Sequence, residues 1–327
     1  MTLSGPLRSL RAWRAALAAV AVTAASVAVS DEAPNADKHN PAPIIITGFD
    51  RPESVLHDVE RDIYLVSNIT NGPRDTDNTG FISRVAPNGR VLALKWIEGG
   101  VNGVTLNAPK GSTIANGVLY VADIDQIRKF DARTGAARGN VAVPSATFLN
   151  DVTSDHHGNV YVTDIGFTTV PVFGPSGTDA IWKLTPKGKL STVATGNSLL
   201  NHPTGIAARR NGDLLVVTYD PFNNTKELFT IDKRGHKTVV ATLPTGLLDG
   251  VVVIDEGILV SSWVDFSNAT AGVIYLVRHD GSVVEVARGF QNPSDIGFDA
   301  KRNRILIPEL PDPGAGGRVT LQTLRSR

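Results

Sequence analysis

Six stretches of the chain repeat one pattern: a turn-prone polar residue, a short apolar run, a polar turn, and a second run rich in Val, Ile, Leu or Tyr. They read "PESVLHDVERDIYLVSN", "PKGSTIANGVLYVADID", "LNDVTSDHHGNVYVTDI", "PTGIAARRNGDLLVVTY", "LDGVVVIDEGILVSSW" and "PSDIGFDAKRNRILIPEL". Aligned on the second run at Tyr64, Tyr120, Tyr161, Leu215, Leu259 and Leu306, the copies stand 56, 41, 54, 44 and 47 residues apart. That is the period of a four-stranded propeller blade. Segments such as "GFISRVAPNGRVLALKW" and "GVIYLVRHDGSVVEVA" lie between the copies and supply two further strands per blade through hairpin turns. The expected fold is all-β, a six-bladed β-propeller of four-stranded antiparallel blades spanning residues 42–327. A seven-bladed ring is the alternative, but no seventh copy is present to build it. Pairing of the early "PIIITGF" with the late "RVTLQTL" would close the ring and remove an exposed sheet edge.

The first thirty residues lie outside the repeat. Arg8, Arg11 and Arg14 precede an uncharged stretch from Ala15 to Ser30, too short to span a bilayer comfortably, and Ala28-Val29-Ser30 offers small residues for cleavage. Residues 1–30 therefore read as an export signal peptide and 31–41 as a flexible mature N-terminus, with a periplasmic or secreted location and no membrane contact after cleavage. Formal charge is zero over the whole chain, and the signal removes three arginines and no acids. A slightly acidic mature protein gives no footprint for nucleic acid. With no cysteine in the chain, disulfides, a thiolate nucleophile and Cys-based metal centres are excluded.

In a propeller the first strand of each blade lines the central channel, so equivalent repeat positions converge at one mouth. Counting back eleven residues from the anchor reaches Glu53, Asn150, Thr204 and Asp295, and counting back ten, where turns are shorter, reaches Lys110 and Asp249. Five of these six carry oxygen donors on short side chains, the set that calcium or a similar hard cation takes. Polar caps on strand ends that bind channel water would account for the same residues. Asn107, just ahead of Pro109, is a candidate contact to substrate at the rim. His202, two residues before Thr204, is the one histidine near the projected mouth and a candidate proton shuttle or substrate contact. His156 and His157 fall in a turn, and His57 inside a strand. "DTDNTG" from Asp75 fails as an EF-hand loop because its twelfth position is Ala86, and no nucleophile elbow, zincin motif or P-loop occurs.

The stretches "RPESV", "FLNDV", "HPTGIA" and "LLDGVVV" resemble the ligand-bearing strand heads of the senescence marker protein/gluconolactonase family of six-bladed propellers, with paraoxonases and diisopropyl-fluorophosphatase more distant. The resemblance covers the mature chain by blade rhythm, through short motifs. It implies a divalent cation, Ca²⁺ in the first instance, held by Glu53, Asn150 and Asp249. Thr204 takes a fourth ligand position where relatives carry an asparagine in "PNG". It further implies hydrolysis of a lactone or related ester, with Asp249 or Asp295 as base and Lys110 available to an anionic substrate or oxyanion. Lys110 is a second departure, since an ammonium competes with a cation. A propeller that binds a ligand or protein without catalysis, its metal site degenerate, is the alternative. A metal-free enzyme resembling the strictosidine synthases is a third reading. The expected partner is a small molecule.

Overall fold

The computed structural model describes residues 41–168, 172–265, 267 and 270–325. Apart from Pro41, the expected signal peptide and mature N-terminus lie outside these residues.

Six four-stranded antiparallel sheets follow one another around a ring. The first is Pro52–Asp58, Ile63–Asn68, Phe81–Val85 and Val91–Glu98, each strand hydrogen-bonded to the next. The first strands of the next five sheets are Pro109–Ala115, Leu149–Ser154, Pro203–Ala208, Leu248–Ile254 and Gly297–Asp299. Every residue used as a repeat anchor lies in the second strand of its sheet. The ring closes as the sequence predicts: Ile44–Phe49 adds to the sixth sheet by antiparallel pairing with Gly317–Thr323, Ile46 opposite Val319.

Burial follows from this stacking. The second strands are sandwiched between neighbouring blades and are buried almost end to end, whereas the outermost strands alternate with solvent. Among the described residues the core is accordingly divided into eight clusters, six of them one at each seam and two smaller ones, around Ile69 and Leu310 and around Phe167 and Tyr219, beside the channel mouth. Tyr64 and Val66 meet Leu306 and Val319 where blade six closes on blade one, and Leu215 and Val217 meet Val260 and Tyr275 between blades four and five. The two long anchor spacings have a local cause. Inserted segments occupy 69–80 after the first second strand and 165–179 after the third, the latter carrying the small ladder Phe167–Thr168 with Gly174–Pro175.

Around the channel the inner strands approach so closely that glycine is required. A Cβ on Gly250 would lie 2.4 Å from the Ile296 nitrogen and 2.9 Å from the Asp295 Cα, both backbone atoms of the next blade. Gly250→Ala should therefore destabilise the fold by about 3 kcal/mol, since overpacking against backbone cannot relax by a rotamer change. Urea unfolding measures this, with Gly174→Ala as control because nothing lies within 4 Å of a Cβ there. Equal stability of the two variants would contradict the close approach.

Candidate active site

The heads of five inner strands are irregular in the same place. Pairing with the second strand shifts between Pro52 and Ser54, Pro109 and Ser112, Leu149 and Val152, Pro203 and Ile206, and Leu248 and Val251. Inside these breaks sit Glu53, Lys110, Asn150, Thr204 and Asp249. A break of this kind frees a residue from the ladder and re-aims its side chain, here toward the channel. All five line one cavity of about 430 Å³, and each is 6% exposed or less.

Three oxygens in this floor are buried without a hydrogen-bond partner: Glu53 Oε2, Asn150 Oδ1 and Asp249 Oδ1. Bare buried acceptors are costly, and these belong to the three residues on which the family resemblance puts a cation. Two carboxylates and an amide carbonyl make a hard-oxygen donor set that water or substrate can complete to calcium's usual six to eight. The residues present therefore fit a divalent cation. Electrostatics agree. Burial, together with the neighbouring Asp249 carboxylate, raises the pKa of Glu53 well above its ordinary value. Burial also pushes Asp249 up to about 7, against the opposing hydrogen bond that Trp263 Nε1 donates to its Oδ2 at 2.9 Å. Lys110 is brought down to about 8 by burial, with Glu53 resisting. Its Nζ donates to the Ala108 carbonyl at 2.9 Å and lies 4.8 Å from the centroid of the Phe148 ring. Thr204 also lines the floor, and it donates its hydroxyl to the Leu248 carbonyl at 2.9 Å, which leaves the lone pairs of its oxygen uncommitted.

Three expected site residues lie elsewhere. Asp295 is absent from this cavity and lines a separate one of about 310 Å³, opened by the other ends of the inner strands, beside Asp151 and His57. The sixth inner strand begins only at Gly297, so Asp295 precedes it, bridging to Ser54 and donating its N–H to the Glu53 carbonyl at 2.9 Å. It sits against Asp151, and the pKa values of both are raised, burial leading in each case. Asn107 turns away from the cavity; its Oδ1 accepts from the Asn78 amide at 3.0 Å, and its backbone and side-chain nitrogens face Asp123. His202 lies behind the wall, its ring 4.5 Å from that of Phe167 and its Nδ1 at 2.9 Å from the Ile165 carbonyl and 3.2 Å from Asp179. His156 and His157 occupy an exposed turn. His57, Asp62 and Asp299 do cluster, but Arg302 and Lys301 already satisfy Asp62, and Tyr64 and Arg302 satisfy Asp299.

No family model and no curated protein matches the sequence. Solved structures do. A gluconolactonase from Xanthomonas campestris aligns at 18% identity over 87% of this chain and 99% of its own, with a TM-score of 0.54. Regucalcin from Agrobacterium tumefaciens, described as a calcium-binding protein, aligns at 18% over 86% and 93%, with a TM-score of 0.55. A luciferin-regenerating enzyme aligns at 13% over 86% and 95%, with a TM-score of 0.57. The chain has the gluconolactonase-type propeller fold. At these identities the likeness is one of fold, and the chemistry of the site rests on its own residues.

A set of positioning residues escaped the sequence reading. The last residue of the second strand is polar and buried in every blade: Asn68, Asp123, Asp164, Thr218, Ser262 and Glu309. Several of them hold the loop that feeds an inner strand. Asp123 accepts from the Ala108 N–H at 2.8 Å, Asp164 from the Phe148 N–H at 3.0 Å, and Glu309 from the Gln291 N–H at 2.8 Å. The signal was present, a polar residue three or four places beyond each anchor, but it resembled an ordinary strand end.

Proposed function

We propose that this protein is an exported hydrolase of lactones or related esters, dependent on calcium or a similar divalent cation, with its site at the mouth of the propeller channel. The observation that carries the reading is the coincidence of the three unpartnered oxygens of Glu53, Asn150 and Asp249 at the floor of one cavity. The fold likeness to a gluconolactonase and a calcium-binding regucalcin supports it.

A cation held by Glu53, Asn150 and Asp249 supplies Lewis acidity toward a substrate carbonyl. The chain's own groups supply the rest. Trp263 Nε1 holds Oδ2 of Asp249 while the unpartnered Oδ1 is left to the cation, so Oδ2, which keeps a lone pair beside that one hydrogen bond, is the atom that would accept a proton from an attacking water. Asp295, away from this cavity, drops out as base. The Lys110 ammonium offers N–H donors beside Glu53 to an oxygen that gains charge during ring opening.

Purified protein with CaCl₂ should open a panel of five- and six-membered lactones, followed by acid release in a pH-stat, and EDTA should lower the rate at least a hundredfold. Turnover unaffected by EDTA, or no turnover of any lactone, would defeat the reading. Lys110 favours one alternative, a propeller that binds small molecules without turnover, since its ammonium occupies part of the charge space a cation needs. Binding without hydrolysis in the same panel would identify that case.

A further inference from the structure

The polar side chains of the cavity are confined to its floor and one edge. Above them the wall is Ile69, Phe148, Phe167, Tyr219, Trp263 and Leu310. The aromatic members touch in sequence, with centroid distances of 6.3 Å for Phe148–Phe167, 6.2 Å for Phe167–Tyr219 and 5.3 Å for Tyr219–Trp263, all edge to face. This arc is rigid because its rings are wedged against each other and against the histidine behind it. At the rim Phe173 and Phe222 stack at 5.6 Å and remain 52% and 41% exposed, which carries the apolar surface outward. Arg51, the charged residue beside the wall, donates its Nε to the Pro311 carbonyl at 3.0 Å and a terminal nitrogen to the Asn71 carbonyl.

A sugar lactone brings several hydroxyls that must exchange water for protein partners, and each one left unpaired on burial is costly. This wall is poor in such partners and rich in surface that rewards an alkyl chain or ring. We propose that the occupant is a neutral lactone or ester with an apolar arm, an alkyl chain of several carbons or an aromatic ring, lying along the Phe148–Phe167–Tyr219–Trp263 arc and emerging past Phe173. The position of its carbonyl at the floor rests on the hydrolytic reading above. The apolar arm rests on the wall alone.

Two arms of one experiment separate these. In the first, kcat/KM is measured for 6-alkyl δ-lactones from methyl to pentyl and for glucono-δ-lactone. Burial of each added methylene should raise it about fourfold, which places the pentyl compound about two orders of magnitude above the methyl one and glucono-δ-lactone lowest. In the second, calorimetry measures binding of the matching ring ethers, which cannot be hydrolysed: 2-pentyltetrahydropyran against 1,5-anhydroglucitol. The pentyl ether should bind at least tenfold tighter. Phe173→Ser, at an exposed position where folding is not at stake, should weaken it about fivefold. If no lactone is opened but the ether preference holds, the hydrolytic reading fails and the apolar occupant stands. A flat alkyl series, no binding of either ether, or a sugar ether that binds as well as the pentyl one overturns the inference, whatever the activity.

Discussion

Adding calcium to metal-stripped protein at pH 8 should raise its melting temperature by roughly 5 °C when the ion is at a hundredfold excess over its Kd. That concentration is worth about 2.7 kcal/mol of linkage, and a chain of this size responds by about 2 °C per kcal/mol. The shift should shrink at pH 5, and the sign follows from the floor carboxyls. Burial holds Glu53 well above its ordinary value and Asp249 near 7 when no cation is present. Between about pH 4 and pH 7 the folded state then binds more protons than the unfolded chain, so metal-free stability falls as pH rises. A bound cation removes that fall by stabilising both carboxylates in their charged form. The calcium-induced shift, taken by calorimetry or dye-binding melts at pH 5, 6, 7 and 8, should therefore grow with pH. A melting temperature that is the same with EDTA and with calcium across the whole range would remove the cation from this site.

Much of this floor was legible in the sequence, because the repeat that builds the ring also indexes its mouth. Counting back eleven from Tyr64 and Tyr161 reached Glu53 and Asn150, and counting back ten, where the turn is shorter, reached Lys110 and Asp249. The method failed where the chain departs from the repeat. Asp295 falls ahead of a shortened inner strand of three residues, so an identical count lands away from the cavity floor, beside Asp151. The wall was less accessible still. Ile69 and Pro73 come from one inserted segment, and Ile165, Phe167 and Phe173 from the other. Irregular loops have no period that says which side chain turns inward. Asp151 shows the limit most clearly. It occupies the position that is glycine in "PKG", "PTG" and "LDG", and its carboxylate accepts from the Ile206 N–H of the next blade at 2.8 Å, a contact between strands far apart in sequence.

Asp249→Asn should separate stability from function at the same atom position. The substitution keeps shape, and it keeps an acceptor for the Trp263 Nε1–H that now bonds Asp249 Oδ2 at 2.9 Å. It removes a charge that the fold has buried at 4% exposure beside Glu53. A carboxyl whose pKa is pushed up to about 7 costs the metal-free fold on the order of 4 kcal/mol once the pH exceeds that value. Metal-free Asp249→Asn should therefore melt several degrees above the metal-free parent at pH 8, and at about the same temperature at pH 4, where the parent carboxyl is protonated. The cation, in contrast, loses one of two carboxylates, so the calcium shift should fall below detection at concentrations that saturate the parent. Lactone turnover should drop at least a thousandfold, because the cation site and the proton acceptor are lost together. Glu53→Gln should lose the calcium shift in the same way while keeping Asp249, which divides ligand from base: with excess calcium its residual rate should exceed that of Asp249→Asn. A metal-free Asp249→Asn protein no more stable than the parent at pH 8 would mean that the floor carboxyls are not under charge stress, and the argument for a cation from the bare oxygens would fall with it.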